Sequence, residues 1–432
     1  MQALPRCARA HPAATATLGL RRSVVRPETR KPSPYVCRSC STTSSRPFSS
    51  SRRCNNDNND HAPASSFAPP PSGYTALPTR RVISLAGHDA AKFLQGMITS
   101  NISALTTMSP ARPAGFYTAF LHSTGRVLHD VFVYSNMRDL GDGVERAPSF
   151  LIECDDANVG VLMQHLKKYR IRSKFKFRPV VAGGGGDGTE KNAEALLLPD
   201  QQGKIVLRDP RSPTMGMRIL GDGTSGPPLV QAEPSDPDAY QIRRYLNGVA
   251  EGTSEIRRDM ALPLESNMDV MGGIDFRKGC YLGQELTIRT KHRGVVRKRI
   301  LPVLLYGGHD AAPEKLEYKP SLTSTPLTAA EIPRYAQIGR AGGTKGRAAG
   351  TFLGGVGNLG LGLCRLQTMT DVQLPGEAAE AAPFDPSTEL LVQWGAMGEP
   401  GSTGAHQIKA KAFVPEWLRS KLNEGNGEAS HS

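Results

Sequence analysis

The sequence predicts an α+β protein that ends in a small antiparallel β-barrel-like domain, and three observations carry this. Between residues 80 and 250, runs with a period of two alternate with runs in which apolar residues recur at helical spacing. Beyond residue 300 helical spacing gives way to short apolar runs divided by Gly- and Pro-rich stretches. Before residue 74 neither pattern appears.

The 432-residue chain has a formal charge of +13. Residues 1–53 hold eleven Arg and Lys residues against the single acid Glu28, so ten of those charges sit there. An Arg-, Ser- and Ala-rich segment almost free of acids has the composition of a mitochondrial transit peptide, with RPFSSS (46–51) as its processing region. That location removes most of the case for nucleic acid as a partner. Residues 54–73 are expected to be a disordered, polar, Pro-rich linker. No apolar run approaches the roughly 18 residues of a membrane-spanning helix, so the expected setting is the mitochondrial matrix, with no membrane partner.

Order is expected from Tyr74. RRVISLAG (80–87) reads as a strand, and Phe93, Leu94, Met97 and Ile98 mark the core face of a helix. Residues 116–136 alternate and turn at Ser123-Thr124-Gly125, a hairpin pattern. FLIEC (150–154) is a further strand, followed by a helix capped by Asp155 or Asp156 with Val159, Leu162, Met163 and Leu166 in one stripe. KKYRIRSKFKFRP (167–179) has a period of two, with Ile171, Ser173, Phe175 and Phe177 on one face and five cations on the other. This suits either a solvated edge strand or an anion-attracting face. GGGGDG (183–188) lacks the Lys-Ser/Thr ending of a phosphate loop and reads as an inserted loop. KIVLRDPRSPTMGMRIL (204–220) supplies two short strands, and Asp236-Pro237 opens a helix. Residues 74–300 thus form the main α+β region, 301–420 the β-domain with loop insertions, and 421–432 a flexible tail.

Cysteines stand at 7, 37, 40, 54, 154, 280 and 364. CRSC (37–40) has half a zinc-knuckle spacing, but it lies in the leader and lacks a second pair. The informative stretch is FRKGCYLGQELTIRTKHRGVVRKR (276–299), where one thiol, Cys280, sits among cations. The thiolate is the nucleophile and metal ligand, and nearby cations favour it. Lys278 is the expected activating neighbour. The competing reading is a small buried hydrophobe, and a dyad with His129 or His292 would need proximity that spacing alone does not give.

KGCYLGQE (278–285) resembles the signature of the YgfZ-type proteins, relatives of the folate-dependent aminomethyltransferase of glycine cleavage. FLQGMITSNI (93–102), STGRVLHDVFVY (123–134), LKKYRIRSK (166–174), DPRSPTMGMR (209–218), RRYLNGVAEG (243–252) and LPLESNMD (262–269) resemble further family segments in the family's order. The likeness is strong over 74–300 and weaker to 415, and the leader points to the mitochondrial iron-sulfur cluster assembly branch. It implies a three-domain aminomethyltransferase-like fold with a central hole suited to tetrahydrofolate, and a late role in maturing 4Fe-4S proteins beside A-type carriers. Recipients would be aconitase-like and lipoyl-synthase-like enzymes. It also implies that Cys280 is the functional thiol. By the same resemblance Tyr281 belongs to the cofactor site, Gln284 or Glu285 would meet a pterin amide, and Arg289 or Arg293 the folate carboxylates. The aminomethyltransferase branch carries an Asp-Asp pair where this chain reads His129-Asp130. That departure weakens inherited aminomethyl chemistry and leaves Asp130 as a base, a pterin ligand or a plain strand residue.

One thiolate cannot fill a four-thiolate site, so a 2Fe-2S or 4Fe-4S cluster would have to be shared with a partner. The alternative is folate-dependent one-carbon transfer. A third reading, RNA binding, rests on the basic runs and lacks interleaved aromatics in 289–299.

Overall fold

The computed structural model describes residues 73–106, 113–136, 148–180, 204–221, 233–322, 327–341, 348–374, 384–395 and 406–429. The expectations for the leader and linker, the CRSC pair and the Gly-rich stretch at 183–188 lie outside these residues.

Strands β1 (Arg80–Ala86), β2 (Gly115–Leu121), β3 (Val127–Ser135), β4 (Ser149–Asp155) and β5 (Lys176–Val180) form an antiparallel sheet in the order β2-β3-β4-β1-β5. Helices α1 (Ala90–Met97), α2 (Ser103–Thr106) and α3 (Val159–Arg170) accompany it. One sheet face packs Ile83, Leu85, Val131 and Val133 against Phe93, Leu94, Met97, Leu162 and Leu166, the helical stripes read from the sequence. Asp155 accepts a hydrogen bond from the Ala157 N–H at 3.0 Å and opens the short 3-10 turn that leads into α3.

The opposite face, with Tyr117, Phe132 and Tyr134, joins a second core. Two further strands, β6 (Ile205–Arg208) and β7 (Met217–Leu220), pair as a hairpin and contribute Ile205 and Leu207. Helix α4 (Pro237–Leu246) begins as expected, with the Asp236 carboxylate accepting from the Asp238 N–H at 2.8 Å and Pro237 in the first turn. It adds Ile242 and Tyr245 to the same core.

After helix α5 (Gln284–Arg293), strands β8 (Lys298–Tyr306), β9 (Gln337–Arg340), β10 (Gly350–Val356), β11 (Leu359–Arg365), β12 (Leu390–Trp394) and β13 (His406–Ala412) close into a barrel in the order β10-β11-β8-β13-β12-β9. Its interior contains Leu301, Val303, Ile338, Phe352, Val392 and Ile408. Helix α6 (Leu366–Met369) follows β11, and α7 (Glu416–Ala429) follows the barrel.

Helix α7 extends from the barrel domain into 421–432 as far as Ala429, with Leu418 buried in the barrel core. One expectation needs correction. Residues 167–179 are not one strand: α3 runs on to Arg170, a turn follows, and β5 starts at Lys176. The helical Leu162–Leu166 face outcompetes the alternating pattern, and Ile171 becomes 84% exposed while Phe175 is buried.

Candidate functional site

The loop before α5 crosses the C-terminal end of α1, where backbone carbonyls lack helical partners. Lys278 Nζ donates to the carbonyls of Gln95 (2.7 Å), Ile98 (2.7 Å) and Ser100 (3.0 Å). The Asp275 N–H reaches the Thr99 carbonyl and the Leu282 N–H the Gly96 carbonyl, each at 3.0 Å. Thr99 and Ser100 in turn donate their hydroxyls to the Gly273 carbonyl. Cys280 therefore stands between two ties to the same helix end, and it is exposed. Gly279 beside it has open space where a side chain would project.

Gly283 explains how the chain turns into α5. It adopts φ +79°, and a Cβ there would lie 2.3 Å from the His122 carbonyl oxygen. Glycine thus lets the start of α5 press against the β2–β3 turn, leaving Cys280 outside that contact.

Lys278, the expected activating neighbour of Cys280, is turned inward. It is 7% exposed, and its ammonium is engaged with three carbonyls and sits 4.9 Å from the Tyr281 ring centroid. Burial pushes it down to about 8, with Asp275 opposing. Its visible role is to fix the loop. Tyr281 is buried in the core, and burial pushes its phenol up to about 12. Gln284 folds back so that its Oε1 accepts from the Tyr281 N–H at 3.4 Å. Glu285 and Arg289 are exposed on α5; Arg293 ends that helix, its side chain outside the described residues. The buried flank of α5, with Leu286, Thr287 and Thr290, lines a cleft of about 280 Å³ opposite Leu264 and Glu265.

Asp130 is elsewhere. It lies five residues along β3 from the Gly125 turn, about 15 Å of strand, on the face shared with Phe132. It is 1% exposed; Oδ1 accepts from the Gly252 N–H at 3.0 Å and Oδ2 from Arg80 at 3.4 Å. It belongs to a buried ionic network that lies outside the expected thiol site. Arg80 and Arg218 both bind Glu153. Arg211, fully buried, binds Asp209 (2.7 Å) and Glu251 (2.8 Å), and its guanidinium lies 4.9 Å from the Phe132 ring centroid. The Tyr240 hydroxyl receives Arg211 and Arg218 and donates to Glu251. Burial works against ionisation of Glu153, but Arg218 and then Arg80 outweigh it and hold the carboxyl down at about 2. Burial raises Asp130, with Arg80 opposing. The signal was present in DPRSPTMGMR and NGVAEG, since acids and arginines this close to apolar segments need buried partners.

The cofactor-binding residues inferred from the sequence are therefore split between the α5 region and this network. The dyad with His129 does not form either: His129 is buried beneath α3, and burial followed by the nearby His165 pushes it down to about 4. Of the other described cysteines, Cys154 and Cys364 are buried, and burial raises both thiols, Cys154 to about 12. Cys280 is the exposed cysteine among the described residues, and no group of three or more metal-ligating side chains occurs among them.

An iron-sulfur cluster assembly factor IBA57 homolog, mitochondrial, from Pyricularia oryzae is 47% identical over 406 residues, covering 93% of this chain and 96% of that protein. The chain belongs to the family of mitochondrial iron-sulfur cluster assembly factors. The Neurospora crassa member of this assembly-factor family is 44% identical over 371 residues, 81% of each chain. Residues 297–420 match the family described as CAF17, C-terminal beta-barrel domain, in agreement with the six-stranded barrel. The glycine cleavage system aminomethyltransferase T from Bartonella henselae superposes with a TM-score of 0.51 at 12% identity, covering 80% of this chain and 86% of that one. That likeness establishes an aminomethyltransferase-like fold for the assembly-factor chain.

Proposed function

We propose that this chain acts late in the maturation of 4Fe-4S proteins in the mitochondrial matrix, with Cys280 as one thiolate ligand of a 2Fe-2S or 4Fe-4S cluster shared with an A-type carrier. The observation that carries the reading is the exposed thiol held between the Lys278 and Leu282 ties. A sulfur on a fixed loop meets a partner's cluster without first ordering its own backbone, which favours association. The remaining ligands must come from the partner, because one thiolate completes no cluster site alone. Family membership supports the role, and aconitase-like and lipoyl-synthase-like proteins are the proposed recipients.

Tetrahydrofolate is a second proposed ligand. The cleft beside α5 supports it: its volume is just below the usual range for small-molecule sites, and it offers the Glu265 carboxylate beside the buried Thr287. One-carbon transfer through Asp130 has less support, since both carboxylate oxygens are engaged inside the fold.

The test is anaerobic mixing of the protein with a cluster-loaded A-type carrier, followed by visible absorption and size analysis. Wild type is expected to form a coloured complex and Cys280→Ser to form none. A coloured complex of equal yield from Cys280→Ser removes the thiol from the mechanism. Methylene-tetrahydrofolate formed from tetrahydrofolate and an aminomethylated lipoyl carrier would instead support the transferase alternative.

A further inference from the structure

The turn between α3 and β5 is left unused by the cluster chemistry. The Arg170 carbonyl accepts from the Ser173 N–H at 2.8 Å, closing a four-residue turn with Ile171 and Arg172 at its centre. Ile171 adopts φ 44° and ψ −104°, the corner that the first central position of a type II′ turn gives to glycine. A β-branched residue is strained there, and strain of this kind persists where a side chain is needed for something else. Packing is not that need: Ile171 is 84% exposed, ahead of Met217 at 62% among the exposed large hydrophobic residues described.

Cations surround this aliphatic tip. Lys167, Lys168, Arg170, Arg172, Lys174 and Lys176 are all exposed, and residues 167–178 contain no carboxylate. Asp89 is the acid that meets the segment, and it accepts from the Lys174 backbone N–H at 2.7 Å. The Lys168 ammonium lies 5.3 Å from the Tyr169 ring centroid and the Arg170 guanidinium 5.7 Å from that of Phe175, so both exposed residues rest their charged ends against aromatic rings at this turn. Phe175 is buried, which leaves the turn without that ring for stacking nucleic-acid bases.

We propose that this turn docks the protein peripherally on an anionic lipid surface, with Ile171 entering the apolar boundary and the six cations meeting headgroup phosphates. One exposed aliphatic tip with exposed cations on a helix end, a turn and an edge strand suits a plane of mobile headgroups. A fixed acidic groove would have to match each position. No helix among the described residues is long and apolar enough to cross a membrane, so the association is superficial. This departs from the sequence expectation of no membrane partner and is independent of Cys280.

The experiment is co-sedimentation of the full chain with vesicles of phosphatidylcholine and phosphatidylglycerol in equal parts, and with phosphatidylcholine alone. The basic leader contributes equally to every variant, so differences between variants carry the result. Arg172→Glu with Lys174→Glu should weaken partitioning to the anionic vesicles by at least about 25-fold, at about fivefold per cation lost. Ile171→Ser should weaken it by about tenfold. Ile171→Gly should lose a similar amount while raising the melting temperature, because glycine relieves the turn and the fold is kept. Partitioning of all three variants equal to wild type overturns the proposal. So does a charge-dependent loss with no effect at Ile171 accompanied by tighter binding of wild type to duplex RNA or to an acidic peptide.

Discussion

The Cys280 loop and the Asp130 network are both rich in charge, yet they use it in opposite ways. In the network, guanidinium and carboxylate groups satisfy one another in the interior, with Arg211 binding Asp209 and Glu251 at once. In the loop one cation, Lys278, is drawn inward to hold backbone carbonyls, while the thiol two residues later is turned outward. Polar groups in a protein of this fold need not mark where ligands bind. What separates the regions is whether the groups are already partnered.

The largest effect should come from breaking the network. Arg211→Met leaves Asp209 and Glu251 short of a partner in the interior and should cost about 3–5 kcal/mol by chemical denaturation. A loss below about 1 kcal/mol would show that the carboxylates find other partners and that the region is less closed than the contacts indicate.

His129 provides a pH-dependent test of the same sheet. Its ordinary value near 6.5 falls to about 4 in the fold, so the unfolded chain takes up a proton that the folded chain resists. Stability should therefore be intact above pH 6.5 and fall progressively toward pH 4, by up to about 3 kcal/mol from this residue. The check is denaturation across that range, with His129→Gln expected to flatten the slope.

Lys278 comes next. Lys278→Ala removes one ammonium from three carbonyls at a helix end that water can partly reach, and should cost about 2 kcal/mol. Its clearer signature is local: the Leu282 amide should exchange with solvent faster, and Cys280 should be alkylated faster by iodoacetamide. Unchanged exchange would mean the remaining backbone ties suffice.

These contrasts also show what was legible in the sequence. The helical stripes at Phe93–Met97 and Val159–Leu166 and the turn at 123–125 could be placed because apolar period and turn residues act locally. Strand β13 is hard to read from sequence because its buried positions after Ile408 are the small residues Ala410 and Ala412, which carry little hydrophobic signal. Strand β9, only four residues long, offered too short a pattern. Helix α5 was hidden by its polar composition and by an entry that depends on Gly283 meeting a distant carbonyl. Cys280 could be found because its glycine and lysine neighbours are unusual. The direction of Lys278 could not, since its partners lie 178–183 residues away. Asp130 stands out in the sequence, but its partner Arg80 comes from another strand and lies outside its sequence motif.

Cys280→Ser should alter stability least, within about 0.5 kcal/mol, because the side chain is exposed. Its functional effect decides the comparison. The most direct measurement is the rate at which an apo aconitase-like protein gains activity from a cluster-loaded A-type carrier in the presence of wild type, Cys280→Ser or Asp130→Asn. Activation should vanish with Cys280→Ser and persist with folded Asp130→Asn. Persistence with Cys280→Ser and loss with Asp130→Asn would contradict the account, placing the chemistry in the buried network.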